Sequence, residues 1–246
     1  KTQVTEVFPK TIINVLKSPD LAIDYSMNPY QGCEHGCSYC FARPTHEFWG
    51  YSAGVDFERK LMVKKNAPEL LEKTFQKKSY IPKTIMLSGN TDCYQPIERQ
   101  FEITRKLLQV CLDYRHPVSI ITKNALVLRD LDILEKMAEK NLISVNMSIP
   151  TLNEDLRRVM EPRTSTAKNK LKAIEVLSEK NIPVNVMIAP VIPALTSDES
   201  LSIMKSVSEA GARSCGYTLV RLNDTVEPVF IQWLEAHFPD RKDKVL

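Results

Sequence analysis

Val118-Ser119-Ile120-Ile121-Thr122 is a β-branched run that stops at Lys123-Asn124, and from Asp130 onward Leu131, Leu134 and Met137 recur at helical spacing. A second β-branched run, Ile143–Ser148, follows at once. Strand, amphipathic helix, strand is the unit of a parallel sheet, because parallel neighbours need a long crossover and a helix supplies it. The same alternation continues outward in both directions. Downstream lie a helix over 167–180 with Leu171, Ile174 and Leu177 inward, a strand over 184–189, a helix over 198–210 with Leu201, Met204 and Val207 inward, a strand over 214–220 and a last helix over 227–238. Upstream, a strand over 84–88 is flanked by helices over 66–77, opened by Asn66 and Pro68, and over 96–114, opened by Pro96. In the second of these Ile103, Leu107, Val110 and Tyr114 share a face.

A weaker run at 21–26 brings the count to six β-α units, which predicts an α/β chain forming a partial (β/α)6 TIM-like barrel. The length suits one such domain over 1–246, with short extensions at 1–20 and 239–246. In barrels the chemistry gathers in loops at the C-terminal ends of the strands. Those loops hold, in order, Cys33 to Cys40, then Gly89-Asn90-Thr91-Asp92, Lys123-Asn124, Pro150-Thr151 and Pro190-Val191-Ile192-Pro193.

Hydrophobic residues make up 43% and charged residues 26%, and no segment approaches the roughly 20 apolar residues of a membrane span. The start lacks a basic head followed by an apolar middle and a small-residue cleavage site, so a cytoplasmic chain is expected. A net charge of +3 does not demand a nucleic-acid partner. Arg157, Arg158, Arg163, Lys168, Lys170 and Lys172 do gather, and a solvated basic helix face explains them equally well.

Cys33-Glu34-His35-Gly36-Cys37-Ser38-Tyr39-Cys40 is a C-x3-C-x2-C run, followed by Phe41. Iron-sulfur cubanes take one thiolate per iron, so three thiolates leave one iron open to a ligand, as catalytic metal sites require. Gly32 and Gly36 suit a tight loop around such a group. A structural zinc with His35 or His46 as fourth ligand is the alternative. Three cysteines in one knot, with no second pair downstream, favour the cluster. Cys111 and Cys215 read as packing residues, and His116 and His237 need no role.

The cysteine run with its six-unit pattern resembles the radical S-adenosylmethionine superfamily. Asn28-Pro29-Tyr30-Gln31-Gly32-Cys33 through Phe41-Ala42-Arg43 is similar to the branch related to spore photoproduct lyase. So are Thr91-Asp92-Cys93-Tyr94-Gln95-Pro96-Ile97-Glu98, Ile121-Thr122-Lys123, Met160-Glu161-Pro162-Arg163 and Ala189-Pro190-Val191-Ile192-Pro193. The resemblance implies a [4Fe-4S] cluster on Cys33, Cys37 and Cys40. It further implies S-adenosylmethionine chelated to the open iron and an electron donor of the reduced flavodoxin or ferredoxin type. Reductive cleavage of the sulfonium would give a 5'-deoxyadenosyl radical that abstracts hydrogen from a substrate.

By position, the loop Ser88, Gly89, Asn90, Thr91 and Asp92 should meet the methionine amino group, and Lys123 and Arg163 its carboxylate. Ser148 suits a ribose hydroxyl, and the backbone near Phe41 and Ala189 suits adenine. Structural alternatives are an Arg163–Glu161 pair and a strand-end cap at Ser148. Spore photoproduct lyase reverses a thymine dimer in DNA with a cysteine that returns hydrogen to the product, and that cysteine falls at Gly89 here. Cys93 is then the candidate donor, against a role as a small buried hydrophobe, and Tyr94 either relays a radical or packs. Trp49, Tyr51 and Phe57 either stack on a planar substrate or seal the cluster. Three functions are therefore expected in order: a radical enzyme of unknown substrate, a DNA or nucleotide lyase with a Lys- and Arg-lined groove, and a zinc-stabilised binding module.

Overall fold

A computed structural model describes residues 2–16, 23–223 and 225–246. Its main sheet is built from β2 (Ile13–Val15), β3 (Tyr25–Met27), β6 (Ile85–Leu87), β7 (Val118–Thr122), β8 (Ile143–Ser148), β9 (Val184–Val191) and β10 (Ser214–Leu219). Their order is β10-β9-β8-β7-β6-β3-β2, and all neighbours are parallel except β2 with β3. Six parallel strands in chain order make the expected partial barrel. Of the run expected at 21–26, positions 21 and 22 lie outside the described residues.

Strand alternation explains why the sheet has a wet face and a dry one. Val118, Ile120, Val145, Met147, Val184, Val186 and Ile188 are buried under the helices with Ile133, Leu134, Ile174 and Leu177. Burying each such side chain stabilises the fold by about 1.5–3 kcal/mol. The alternate positions face the lumen and are half-buried. There Asn146 Nδ2 donates to Ser119 Oγ (2.9 Å), Asn185 Nδ2 to Asn146 Oδ1 (3.3 Å) and Ser214 Oγ to Asn185 Oδ1 (2.8 Å).

A second sheet was not apparent in the sequence. β1 (Gln3–Val7), β4 (Tyr30–Gln31) and β5 (Lys60–Lys64) form it in the order β1-β5-β4, so part of the stretch expected as an extension is sheet. β5 follows directly on the short helix α1 (Val55–Arg59), and β4 leads into the cysteine loop. The remaining helices are α2 (Ala67–Phe75), α3 (Glu98–Phe101), α4 (Ile103–Asp113), α5 (Leu131–Ala138), α6 (Glu154–Met160), α7 (Ala167–Glu179), α8 (Ser200–Glu209), α9 (Val226–His237) and α10 (Lys242–Val245).

Three expectations need correction. The helix over 96–114 is two helices, broken where Glu102 takes φ +52°. The buried Glu98 carboxylate turns back there to accept from the Thr104 and Arg105 backbone N–H groups, and so caps α4. β10 is an edge strand with all six side chains exposed, so Cys215 is an exposed residue rather than core packing. The basic residues at 157–172 do not form one solvated face. Arg158, Lys168 and Lys172 are exposed, but Arg157 is buried and donates to the carbonyls of Glu161 (3.0 Å) and Thr164 (3.1 Å), and Lys170 is buried against Glu161.

Candidate metal centre and cofactor site

The cysteine loop begins where β4 ends. Gly32, at φ +75°, lies so close to Leu61 Cδ2 and the Phe57 carbonyl that a Cβ would stand 2.9 Å and 3.0 Å from them. Only glycine combines that backbone with that approach. Gln95 then pins the loop from β6's side, accepting from Glu34 N (2.8 Å) and donating to Gly32 O (3.1 Å). Thr91 Oγ1 donates to Tyr30 O (2.7 Å), and Cys33 N donates to Phe57 O (2.8 Å).

Arg43 closes the loop from the other end. Its fully buried guanidinium donates twice to the Cys37 carbonyl (3.0 and 2.8 Å), to the carbonyls of Ala53 and Gly54 (both 2.9 Å) and to Glu58 (2.7 Å).

Cys33, Cys37 and Cys40 are free thiols, and Cys40 packs both with the cluster holding Cys37 and with the one holding Cys33. Burial pushes all three thiols up, and the charge of Cys40 adds to this at both Cys33 and Cys37. A metal that takes thiolates relieves that cost, so the donor set fits an iron-sulfur group. Among the described residues no three His, Cys, Asp or Glu side chains converge to hold a single ion. His35 turns to Asp92 (3.4 Å) and Asn124 (3.3 Å), and His46 sits against Tyr51 and edge-on to Phe57.

Facing the loop are the C-terminal ends of β6, β7, β8 and β9. Asp92 Oδ1 accepts from Tyr94 N and Thr122 Oγ1 (both 2.8 Å), and Oδ2 accepts from Lys123 N (2.7 Å). Lys123 Nζ reaches Ser148 Oγ (2.7 Å), Ala189 O (3.1 Å) and Glu161 Oε1 (3.0 Å), while Ser148 Oγ donates to Ala189 O (3.0 Å). One ammonium thus joins three of the residues expected to meet the cofactor. Ser88, at φ +77°, accepts from Cys93 N (2.8 Å) and closes the loop before Asp92, and Asn90 N donates to Asn28 Oδ1 (2.9 Å). At Gly89 a Cβ would stand 3.1 Å from Met86 Sδ and 3.3 Å from Ser26 Cβ.

Arg163 stands apart from this group. Its guanidinium lies on the outer side of the cysteine loop, bonded to the Glu34 carbonyl and to Glu58 (2.8 Å), not to Glu161. Phe41 is exposed at the loop's end. Cys93 is wholly buried in the main core, and Tyr94, also buried, donates to Asp130 (3.0 Å). Of the three aromatics after the loop, Phe57 is buried, Tyr51 half-buried and Trp49 exposed, with Phe48 at 90% exposure beside it.

Sequence reasoning met Glu161 only within a motif and as a partner for Arg163, and gave it no role beside Lys123. Fully buried, Glu161 takes Lys123 on one oxygen and Lys170 (3.3 Å) on the other, with the Tyr39 hydroxyl donating as well. Burial alone raises a carboxyl, but Lys123, Lys170 and Tyr39 outweigh it and hold Glu161 down to about 2. Burial lowers a lysine likewise; at Lys123 the Glu161 charge prevails and the ammonium is raised, whereas Lys170 remains lowered. Tyr39 lies between Cys37 and Cys40, and Lys123 Nζ stands 5.5 Å from its ring centre, so the network runs into the cysteine loop.

Fold and loop together define a β/α-barrel protein with three free thiols in a loop that faces its strand ends. The chain belongs to the radical SAM superfamily, whose family model matches residues 27–207. Members of that superfamily are enzymes that use S-adenosylmethionine and an iron-sulfur cluster and need a reductant and a substrate.

The chain is 32% identical over 238 residues to an uncharacterised protein of Mycobacterium tuberculosis, covering 96% of this chain and 70% of the relative. It is 30% identical over 240 residues to an uncharacterised protein of Methanocaldococcus jannaschii, covering 98% and 85%. Among solved structures, spore photoproduct lyase complexed with dinucleoside spore photoproduct superposes with TM-score 0.69 at 15% identity, over 96% of this chain and 66% of that one. A structure of anSMEcpe with bound AdoMet gives TM-score 0.53 at 14% identity, over 88% and 58%. At these identities the two structures show a shared fold, and the chain spans about two thirds of the lyase's length. Superfamily membership replaces the binding-module reading. Among the described residues no helix is long and apolar enough to cross a membrane.

Proposed function

We propose that Cys33, Cys37 and Cys40 hold a [4Fe-4S] cluster and that the chain acts as one barrel domain in the cytoplasm, supplied by a flavodoxin or ferredoxin type reductant. When bound, cluster and S-adenosylmethionine together supply reductive cleavage to a 5'-deoxyadenosyl radical that abstracts hydrogen from substrate. The observation that carries this is the joining of Asp92, Lys123, Ser148 and Ala189 across the ends of β6 to β9, opposite three free thiols.

The protein's own groups bind and orient. Asp92 accepts three hydrogen bonds that fix it, with His35 Nδ1 3.4 Å from Oδ2, and its carboxylate is the acceptor in this row that suits an ammonium. Lys123 has all three N–H groups engaged, so an arriving carboxylate replaces one of its acceptors without moving the ammonium far. Ser148 offers its hydroxyl beside the Ala189 carbonyl, where a ribose hydroxyl and an adenine edge have partners. Arg163, tied to Glu58 and Glu34 O, serves the cysteine loop instead of the ligand.

Anaerobic reconstitution with iron and sulfide, followed by metal analysis and electron paramagnetic resonance, tests the assignment. About four irons per chain are expected, with a reduced signal that changes when S-adenosylmethionine is added. One tightly held zinc or iron per chain would overturn it.

A nucleic-acid substrate is the second reading, favoured by exposed Phe41, Phe48 and Trp49 at the cysteine end of the molecule. The hydrogen donor would then be neither Gly89 nor Cys93, since glycine carries no thiol and Cys93 is buried in the core. Binding of a photoproduct-containing oligonucleotide that weakens steeply with salt supports that reading; no binding at low salt removes it.

A further inference from the structure

The charges around the cysteine loop are distributed unevenly. On the Cys33 side stand Asp92 and Glu34, both carboxylates, with Glu34 accepting from Thr2 Oγ1 (2.9 Å). On the Cys37 and Cys40 side stand two units of the same make-up, each with two cations on one carboxylate. One is Lys123 and Lys170 on Glu161, with Glu161 and Lys170 buried and Lys123 half-buried. The other is Arg43 and Arg163 on Glu58, with Arg43 gripping the Cys37 carbonyl (2.8 Å) and Arg163 the Glu34 carbonyl. Gly36 lies against the second unit so tightly that a Cβ would stand 2.5 Å from Arg163 Nη2 and 2.8 Å from Glu58 Oε2. Within each unit two cations share one carboxylate, and Asp92, on the Cys33 side, is the next carboxylate felt at Lys123.

We propose that these two units are the counter-charge of the cluster, and that Lys170 and Arg163, which have no place at the cofactor, are positioning residues that set its reduction potential. The proposal rests on the cluster assigned above. A cubane held by three thiolates is anionic and becomes more so on taking an electron, so positive charge nearby favours the reduced form. Arg43 donates to the Cys37 carbonyl, and Lys123 Nζ stands 5.5 Å from the ring centre of Tyr39, between Cys37 and Cys40, so both units abut the cysteine loop. The buried unit should act more strongly than the half-exposed one, because water screens Arg163 and Glu58.

The test is a potentiometric titration of the reconstituted cluster, followed by paramagnetic resonance, in wild type and in charge variants. Lys170→Met and Arg163→Gln should each move the midpoint to more negative values, and Glu161→Gln and Glu58→Gln to more positive ones. Lys170→Met combined with Glu161→Gln restores the unit's net charge and should return the midpoint towards wild type. Loss of packing or of a hydrogen bond would not change sign with the charge removed. If the buried variants fail to fold, the half-exposed pair Arg163→Gln and Glu58→Gln still decides the matter by the opposite signs of their shifts. Shifts of the same sign in both, or no shift in a protein that binds a full cluster and cleaves S-adenosylmethionine, overturn the proposal alone. A wild type that assembles no four-iron cluster overturns the cofactor assignment and the proposal with it.

Discussion

Glu98 and Glu161 are both fully buried carboxylates, each ion-paired and bonded by a tyrosine hydroxyl, yet they stand in different company. Glu98 accepts from Tyr30, from Arg129 (2.6 Å) and from the backbone of Thr104 and Arg105. Beside it the buried Asp130 takes Arg129 (2.8 Å), Arg105 (3.1 Å) and Tyr94, and Arg105 also grips the exposed Asp132 (2.7 Å), so three carboxylates meet two guanidiniums. Glu161 takes two lysines, and Asp92 is the next carboxylate felt at Lys123. The first hub, with carboxylates in excess, reads as scaffold joining β4, the loop after β6 and the start of α5. The second abuts the cysteines and the cofactor-facing residues. Burial and hydrogen bonding look alike at the two sites; the ratio of cations to carboxylates and the neighbours separate them.

That contrast can be broken in several ways. Glu98→Ala removes a buried carboxylate that accepts from Arg129, Tyr30 and the α4 backbone, and breaking such a buried pair costs about 3–5 kcal/mol; chemical denaturation should show it, while the folded fraction still binds a full cluster. A Glu98 variant that keeps its stability but loses the cluster would merge the two hubs into one. Lys123→Met removes a charged hydrogen-bond donor worth about 1.5–3 kcal/mol, which should weaken S-adenosylmethionine binding by about 10- to 100-fold in equilibrium dialysis and leave iron content unchanged. Unaltered affinity would return Lys123 to a purely structural role.

Acid gives a third view. Glu161 is held at about 2, below the usual carboxylate range, so its ion pairs stabilise the fold fully above about pH 4.5, and that contribution is lost as pH falls towards 2. Circular dichroism between pH 5 and 2 should show this loss in wild type and a flatter profile in Glu161→Gln. The smallest effect is expected at Lys64, a member of neither hub, whose ammonium burial holds down to about 8 while its Nζ donates to Asn28 O (2.8 Å). A group with a lowered basic pKa binds fewer protons folded than unfolded, so stability should rise between about pH 8 and 10.5. Lys64→Met should abolish that rise, as followed by thermal melts across the range.

The barrel was legible because its strands and helices carry long-range periodicity, as at Val118–Thr122 and at Leu131, Leu134 and Met137. The small sheet was not, since β4 is two residues long and β5 emerges from α1 without a turn. The break at Glu102 was hidden for a related reason: apolar spacing continues across it, and what stops the helix is a carboxylate folding back from Glu98. Asp92, Lys123, Ser148 and Ala189 could be placed from their positions at strand ends. Glu161 and Lys170 could not, because a lysine in a basic stretch of sequence looks solvated until its helix is docked and its head is found against a buried carboxylate.

The central claim is that three thiols and a row of strand-end groups act together on one cofactor. Reduction of the reconstituted protein with dithionite in the presence of S-adenosylmethionine tests it directly, with 5'-deoxyadenosine as the product measured. Wild type should form 5'-deoxyadenosine, and Cys37→Ala should not. A fully loaded cluster that neither binds nor cleaves S-adenosylmethionine would contradict it.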